Sequence, residues 1–132
     1  MAEIPSNVIL AEEFAKIFDG FSIGSNDLTQ LTLGIDRDSS IINYLFNEEN
    51  EASKEMIRSM IAKAKSLHKK IGLCGQAPSD SETFAAFLVE ADIDSISFNP
   101  DALLKGIENI RKIIPSKDSP RQELYETFKT GN

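Results

Sequence analysis

Four short apolar segments recur along this chain, each followed by a stretch of helical periodicity, and that alternation fixes the fold class before any single residue is considered. It predicts an α/β protein with a mostly parallel sheet. The segments are a stub at 1–4, closed by Pro5, and three fuller runs at 21–23, 71–74 and 93–98. After the stub, Ser6 or Asn7 is expected to cap a helix whose apolar face runs Leu10, Phe14, Ile17 and Phe18, ended by Asp19-Gly20. The longest interval, 28–70, opens with a turn-rich apolar piece (Leu28, Leu31, Leu33, Gly34) and is expected to hold an excursion. A long helix over 51–69 follows, with Ile57, Ile61, Ala64 and Leu67 on one face. Ser79 and Glu82 have capping-box spacing ahead of the stripe Phe84, Phe87, Leu88, Ala91. Asn99-Pro100-Asp101 reads as a cap and first turn leading into Leu103, Leu104, Ile107 and Ile110, with Pro115 as the stop.

Composition narrows the function classes. With 41% hydrophobic and 27% charged residues the 132-residue chain reads as one globular domain rather than a disordered one. No apolar run approaches the roughly 20 residues of a membrane span, and no basic-then-apolar leader opens the chain, so a soluble, cytoplasmic protein is expected. Fourteen Lys plus Arg against 21 Asp plus Glu argue against a nucleic-acid binder. The single cysteine, Cys74, has no internal disulfide partner, which fits a reducing compartment. The tail at 116–132 is polar but carries Leu124, Tyr125 and Phe128, enough for a docked helix.

In parallel α/β proteins reactive groups collect past the carboxyl ends of the strands. Here those places hold Glu3, then Gly24-Ser25-Asn26-Asp27, then Cys74-Gly75-Gln76, then Asn99. One carboxylate from each of two neighbouring strand ends is a plausible seat for Mg2+, and the adjacent glycines let backbone approach a small anion. Each residue also has a plain structural reading. Glu3 reads as a surface acid, Asn26-Asp27 as a turn or helix cap, Cys74 as a small buried hydrophobe, and Asp36-Arg37-Asp38 as a solvated, locally paired loop. His68, the only histidine, reads as a partner for the carbonyl end of its helix.

Several strings are more specific. Glu3-Ile4-Pro5-Ser6-Asn7, the run from Phe21 through Gly24-Ser25-Asn26-Asp27 to Gly34, Asp36-Arg37-Asp38, Gly72-Leu73-Cys74-Gly75-Gln76-Ala77-Pro78-Ser79-Asp80 and Asp94-Ser95-Ile96-Ser97-Phe98-Asn99-Pro100-Asp101 resemble, in order and spacing, the carboxyl-terminal part of the phosphoenolpyruvate synthase family. The resemblance covers about residues 1–112. It implies a partial (β/α)8 TIM barrel, roughly the last four strand-helix units with parallel strands, over 1–115; a complete barrel takes about 250 residues. It implies the conversion of ATP, pyruvate and water to phosphoenolpyruvate (PEP), AMP and phosphate through a phosphohistidine on a separate domain. By that likeness Glu3 and Asp27 match the Mg2+ ligands, Gly24, Ser25 and Asn26 the substrate-contact loop, and Cys74 the residue that moves a proton at the substrate methyl carbon. The phosphohistidine and ATP-binding domains, and the arginines that grip the substrate, find no counterpart in this reading, so the chain alone is expected to be inactive in the full reaction. A half-barrel leaves open strand edges, so dimerisation or another partner is expected to cover them. The alternative is a non-catalytic binding or assembly module built on the same barrel.

Overall fold

The structure, a computed structural model, describes residues 1–114; the expectation for the tail falls outside the described residues. Three parallel strands form one sheet in chain order, β1 (Gly20–Gly24), β2 (Lys70–Cys74) and β3 (Ser95–Ser97). The stub contributes less than a strand. Ala2 makes an isolated parallel bridge to Ile23, donating its N–H to the Ser22 carbonyl at 2.7 Å and accepting from Gly24 N at 3.1 Å. Pro5 lacks an N–H and enters helix α1 (Pro5–Ile9) directly, so pairing stops there.

Strand alternation decides which side is core. Phe21, Ile23, Ile71, Leu73 and Ile96 belong to the apolar cluster with Leu28, Ile57, Met60, Ile61, Phe84 and Leu88. The alternate positions Ser22, Gly72, Cys74, Ser95 and Ser97 lie on the opposite face, which carries small, mostly polar side chains. Among the described residues, helices pack on the first of these faces. The central one is α4 (Glu51–Ser66), capped by Asn50, whose side chain accepts from Ala52 N at 2.9 Å. It buries Ile57, Met60, Ile61 and Ala64 against the sheet. Its Lys63 Nζ reaches the Val8 carbonyl of α1 at 2.7 Å, which ties the first helix to the core. His68, beyond the end of α4, adopts a left-handed backbone (φ 55°) where the chain turns into β2.

Several local expectations are corrected. The first helix is two short pieces, α1 and α2 (Ala11–Ala15), and its N-cap is Ile4. Asn7 sits inside the helix and its Oδ1 accepts from the Glu3 and Ile4 amides at 3.2 and 3.3 Å. The buried face of this region is Val8, Ala11 and Ala15; Leu10, Ile17 and Phe18 are exposed, because only small residues fit this close to α4. The piece after Asp27 is a regular helix, α3 (Ser25–Leu33), ended by Gly34 at φ 66° as a left-handed cap. Leu28 and Thr29 face inward there, and the two threonines obscure the helical period in the sequence.

Ser81, not Ser79, caps the next long helix, α6 (Glu82–Glu90), accepting from Phe84 N at 3.1 Å; a short turn, α5 (Ala77–Asp80), precedes it. Pro100–Ala102 forms a 3-10 turn before α7 (Leu103–Ile113), whose buried positions are Gly106 and Asn109. Leu103, Leu104 and Ile107 remain exposed, Leu104 at 78%. Between α3 and α4 the expected excursion is present as an irregular stretch with one 3-10 turn, Asn43–Leu45. Among the described residues no helix is long and apolar enough to cross a membrane.

Candidate functional site

The strand register lines up the carboxyl ends. Gly24 pairs with Cys74, Cys74 pairs with Ser97, and Glu3 follows the bridge residue Ala2 on the other side of β1. Glu3, Gly24, Cys74 and Ser97 therefore form one row across the sheet. An opening of about 270 Å3 above this row is lined by Met1, Glu3, Gly24, Asn26, Asp27, Arg37, Cys74 and Gly75. Of the residues singled out from sequence, Glu3, Gly24, Asn26, Asp27 and Cys74 meet at this single opening. Ser25 does not line it. Its side chain is fully buried and its hydroxyl donates to the Cys74 carbonyl at 3.4 Å, so it joins the ends of β1 and β2 from below.

The glycines are steric requirements. A Cβ on Gly75 would overlap Oγ of the buried Ser25, and one on Gly24 would stand 3.0 Å from the Glu3 Cβ and displace its carboxylate. Cys74 is half-buried; its thiol donates to the Ile23 carbonyl at 3.5 Å and accepts from Ser22 Oγ at 3.9 Å. Asp27 lies in the first turn of α3, where the peptide dipoles favour an anion.

Arg37 adds to the reading of its loop. The loop is exposed as expected, with Asp36 Oδ1 accepting from Asp38 N at 2.9 Å, but Arg37 also lines the opening and its Nη1 donates to the Asn26 amide oxygen at 2.8 Å. Its backbone N–H is held by Gln30 Oε1 of α3 at 3.2 Å. Arg37 thus brings a guanidinium to the opening. The Asn26 nitrogen donates to both Glu48 oxygens, at 3.0 and 2.9 Å; this amide orientation is the one its hydrogen-bonding surroundings assign. Glu48, from the excursion, is 9% exposed. Burial pushes its carboxyl above the usual range, opposed by hydrogen bonds from Ser25 and the Ala77 amide and by the Arg37 charge. Sequence reasoning missed Glu48 because nothing local separates it from its neighbour Glu49, which turns outward to Ser81 and Thr83 of the α6 cap.

Among the described residues no cluster of three or more His, Cys, Asp or Glu is gathered for a metal ion. The two carboxylates at the opening, Glu3 and Asp27, nevertheless fit Mg2+, which binds through one or two carboxylates and keeps its remaining positions for water and substrate oxygens. They fit poorly as a site for a metal that demands an all-protein shell.

Residues 1–115 match the profile of the PEP-utilising enzyme family, over its PEP-binding domain. The chain is 61% identical over 113 residues to phosphoenolpyruvate synthase of Synechocystis sp., a match covering 86% of this chain and 14% of that protein. It is 63% identical over 105 residues to the Aquifex aeolicus phosphoenolpyruvate synthase (80% of this chain, 12% of that protein) and 56% identical over 105 residues to the Escherichia coli one (80% and 13%). The chain thus spans about one-seventh of the length of the curated relatives it matches. The chain belongs to the PEP-utilising enzyme family and corresponds to that family's PEP-binding domain.

Proposed function

We propose that this chain is the part of a phosphoenolpyruvate synthase that holds pyruvate or PEP with Mg2+ and transfers a proton at the substrate methyl carbon. The overall reaction is ATP + pyruvate + H2O → PEP + AMP + phosphate. The observation that carries the reading is the meeting of Glu3, Asn26, Asp27, Arg37 and Cys74 at one opening over the carboxyl ends of parallel strands. Strands that neighbour one another in chain order, flanked by the bridged stub, support reading the fold as an arc of a (β/α)8 barrel comprising its last four units.

Glu3 and Asp27 would hold the metal ion, which when bound supplies positive charge against the charge that develops on the substrate oxygens. Arg37 would pair its guanidinium with a carboxylate or phosphate entering the opening, and Gly24 leaves room beside the backbone. Cys74 Sγ, on the strand face that looks into the opening, is the group that gives or takes the proton at the methyl carbon. ATP cleavage and the phosphohistidine relay belong to the other domains of the full-length cytoplasmic enzyme, so this chain alone is inactive in the full reaction. Pairing of two copies as a dimer would cover open edges.

The test is exchange of pyruvate methyl protons in D2O with Mg2+, in a full-length phosphoenolpyruvate synthase carrying this segment. Cys74→Ala is expected to slow exchange by roughly 10²–10⁴-fold, the usual range for loss of a general acid-base. Unchanged exchange would sink the assignment of Cys74. A second reading, a non-catalytic binding or assembly module, is favoured by the exposed apolar residues just after α2 and on α7, such as Ile17 at 76% and Leu104 at 78%. Absence of Mg2+-dependent PEP binding by this chain would favour assembly, and binding with no Cys74-dependent proton exchange would favour a non-catalytic binding module.

A further inference from the structure

We propose that Glu48 is a positioning residue for this site: its buried carboxylate orients the Asn26 amide, nitrogen toward Glu48 and oxygen toward Arg37, and through that amide holds the Arg37 guanidinium over the opening. The inference rests on the reading of the opening as the PEP site. Its geometric basis is a chain of three groups, Glu48 to Asn26 at 3.0 and 2.9 Å and Asn26 to Arg37 at 2.8 Å.

An ionised carboxylate only accepts and a guanidinium only donates, so an amide between them has one satisfactory orientation. Turned over, it would set oxygen against two oxygens and nitrogen against nitrogen. Asn26 and Arg37 line the opening, whereas Glu48 is withdrawn beneath it, so Glu48 acts on a ligand only through them. Glu48 is itself fixed from two sides. Its Oε1 lies 3.5 Å from where a Gly75 Cβ would stand, and it takes hydrogen bonds from Ser25 and the Ala77 amide, so it links the loop after β1 to the loop after β2. A desolvated carboxylate is costly unless hydrogen-bonded and charge-compensated, and of the groups that compensate Glu48 the charged one, Arg37, lines the opening.

The experiment uses this 132-residue chain, labelled with 15N, and two variants. Glu48→Gln keeps the volume but replaces an acceptor-only group with one that also donates, so the Asn26 amide loses its fixed sense. The Asn26 side-chain amide resonances are expected to shift in Glu48→Gln while the backbone spectrum elsewhere keeps its folded pattern. Affinity for PEP with Mg2+ is expected to fall about tenfold, the effect of one lost charge-assisted hydrogen bond. Glu48→Asp, still acceptor-only, is expected to recover part of that loss, which a purely space-filling role would not produce. It also serves as the informative variant if Glu48→Gln fails to fold. Asn26 resonances that stay in place in both variants, or unchanged PEP affinity in Glu48→Gln, would overturn the assignment. Failure of the parent chain to bind PEP would instead strike the proposed function, and the Asn26 resonances would still decide the role of Glu48.

Discussion

Two carboxylates at opposite ends of the same three strands are handled in opposite ways. At the amino-end rim, Asp94 accepts from Ile71 N at 2.9 Å and from Lys65 and Lys70 at 2.9 and 3.3 Å, and these bonds hold its carboxyl at about 2. At the carboxyl-end rim, Glu48 is buried and raised, while Glu3 and Asp27 stand at an opening without a cation among the described side chains bonded to either. One rim has its charges closed off in pairs; the other keeps anions and an arginine facing a common space. In parallel α/β folds the first arrangement serves stability and the second serves ligands.

The sharpest way to break this comparison is to alter each rim and read both ligand binding and stability. Asp27→Asn or Glu3→Gln is expected to weaken Mg2+-dependent PEP binding about 10–100-fold while leaving the unfolding free energy within about 0.5 kcal/mol, as befits half-buried groups with no ion pair among the described residues. Calorimetric titration and urea unfolding measure the two. At the other rim, Asp94→Asn is expected to cost about 1–2 kcal/mol at neutral pH, discounted for solvent screening of the lysines, with PEP binding unchanged.

The pH dependence should differ in sign. Asp94 has a folded value below its ordinary 3.8, so its stabilisation is complete above 3.8 and is lost as pH falls toward about 2. Glu48 has a folded value above its ordinary 4.5, so its contribution is most favourable below 4.5 and declines as pH rises through the folded value. Unfolding curves should therefore show parent and Asp94→Asn converging toward pH 2, and parent and Glu48→Gln diverging in slope above pH 4.5. The smallest effect is expected from Lys70→Met, whose side chain is 87% exposed; thermal unfolding should move by no more than about 0.5 kcal/mol.

The class of fold was legible in the chain because strand-helix alternation is written in apolar spacing, and the register that follows brings Glu3, Gly24 and Cys74 into one row. Helix faces were less legible. Leu10, Ile17, Leu103 and Leu104 repeat at helical spacing, yet they face outward, since apolar periodicity marks a face meant for burial without saying what buries it. At the site, residues at strand ends could be named from position alone. Arg37 and Glu48 could not, because they arrive from the irregular stretch between α3 and α4, whose path is set by side-chain bonds to Gln30, Asn26 and Ser25 rather than by any repeating pattern.

The most direct measurement is a residue-by-residue map of backbone amide shifts in this chain on adding PEP with Mg2+. The account predicts that the changes gather at Glu3, Gly24 through Asp27, Arg37, Cys74 and Gly75, and leave Lys65, Lys70 and Asp94 still. Shifts centred on the amino-end rim, or none at saturating ligand, would contradict it.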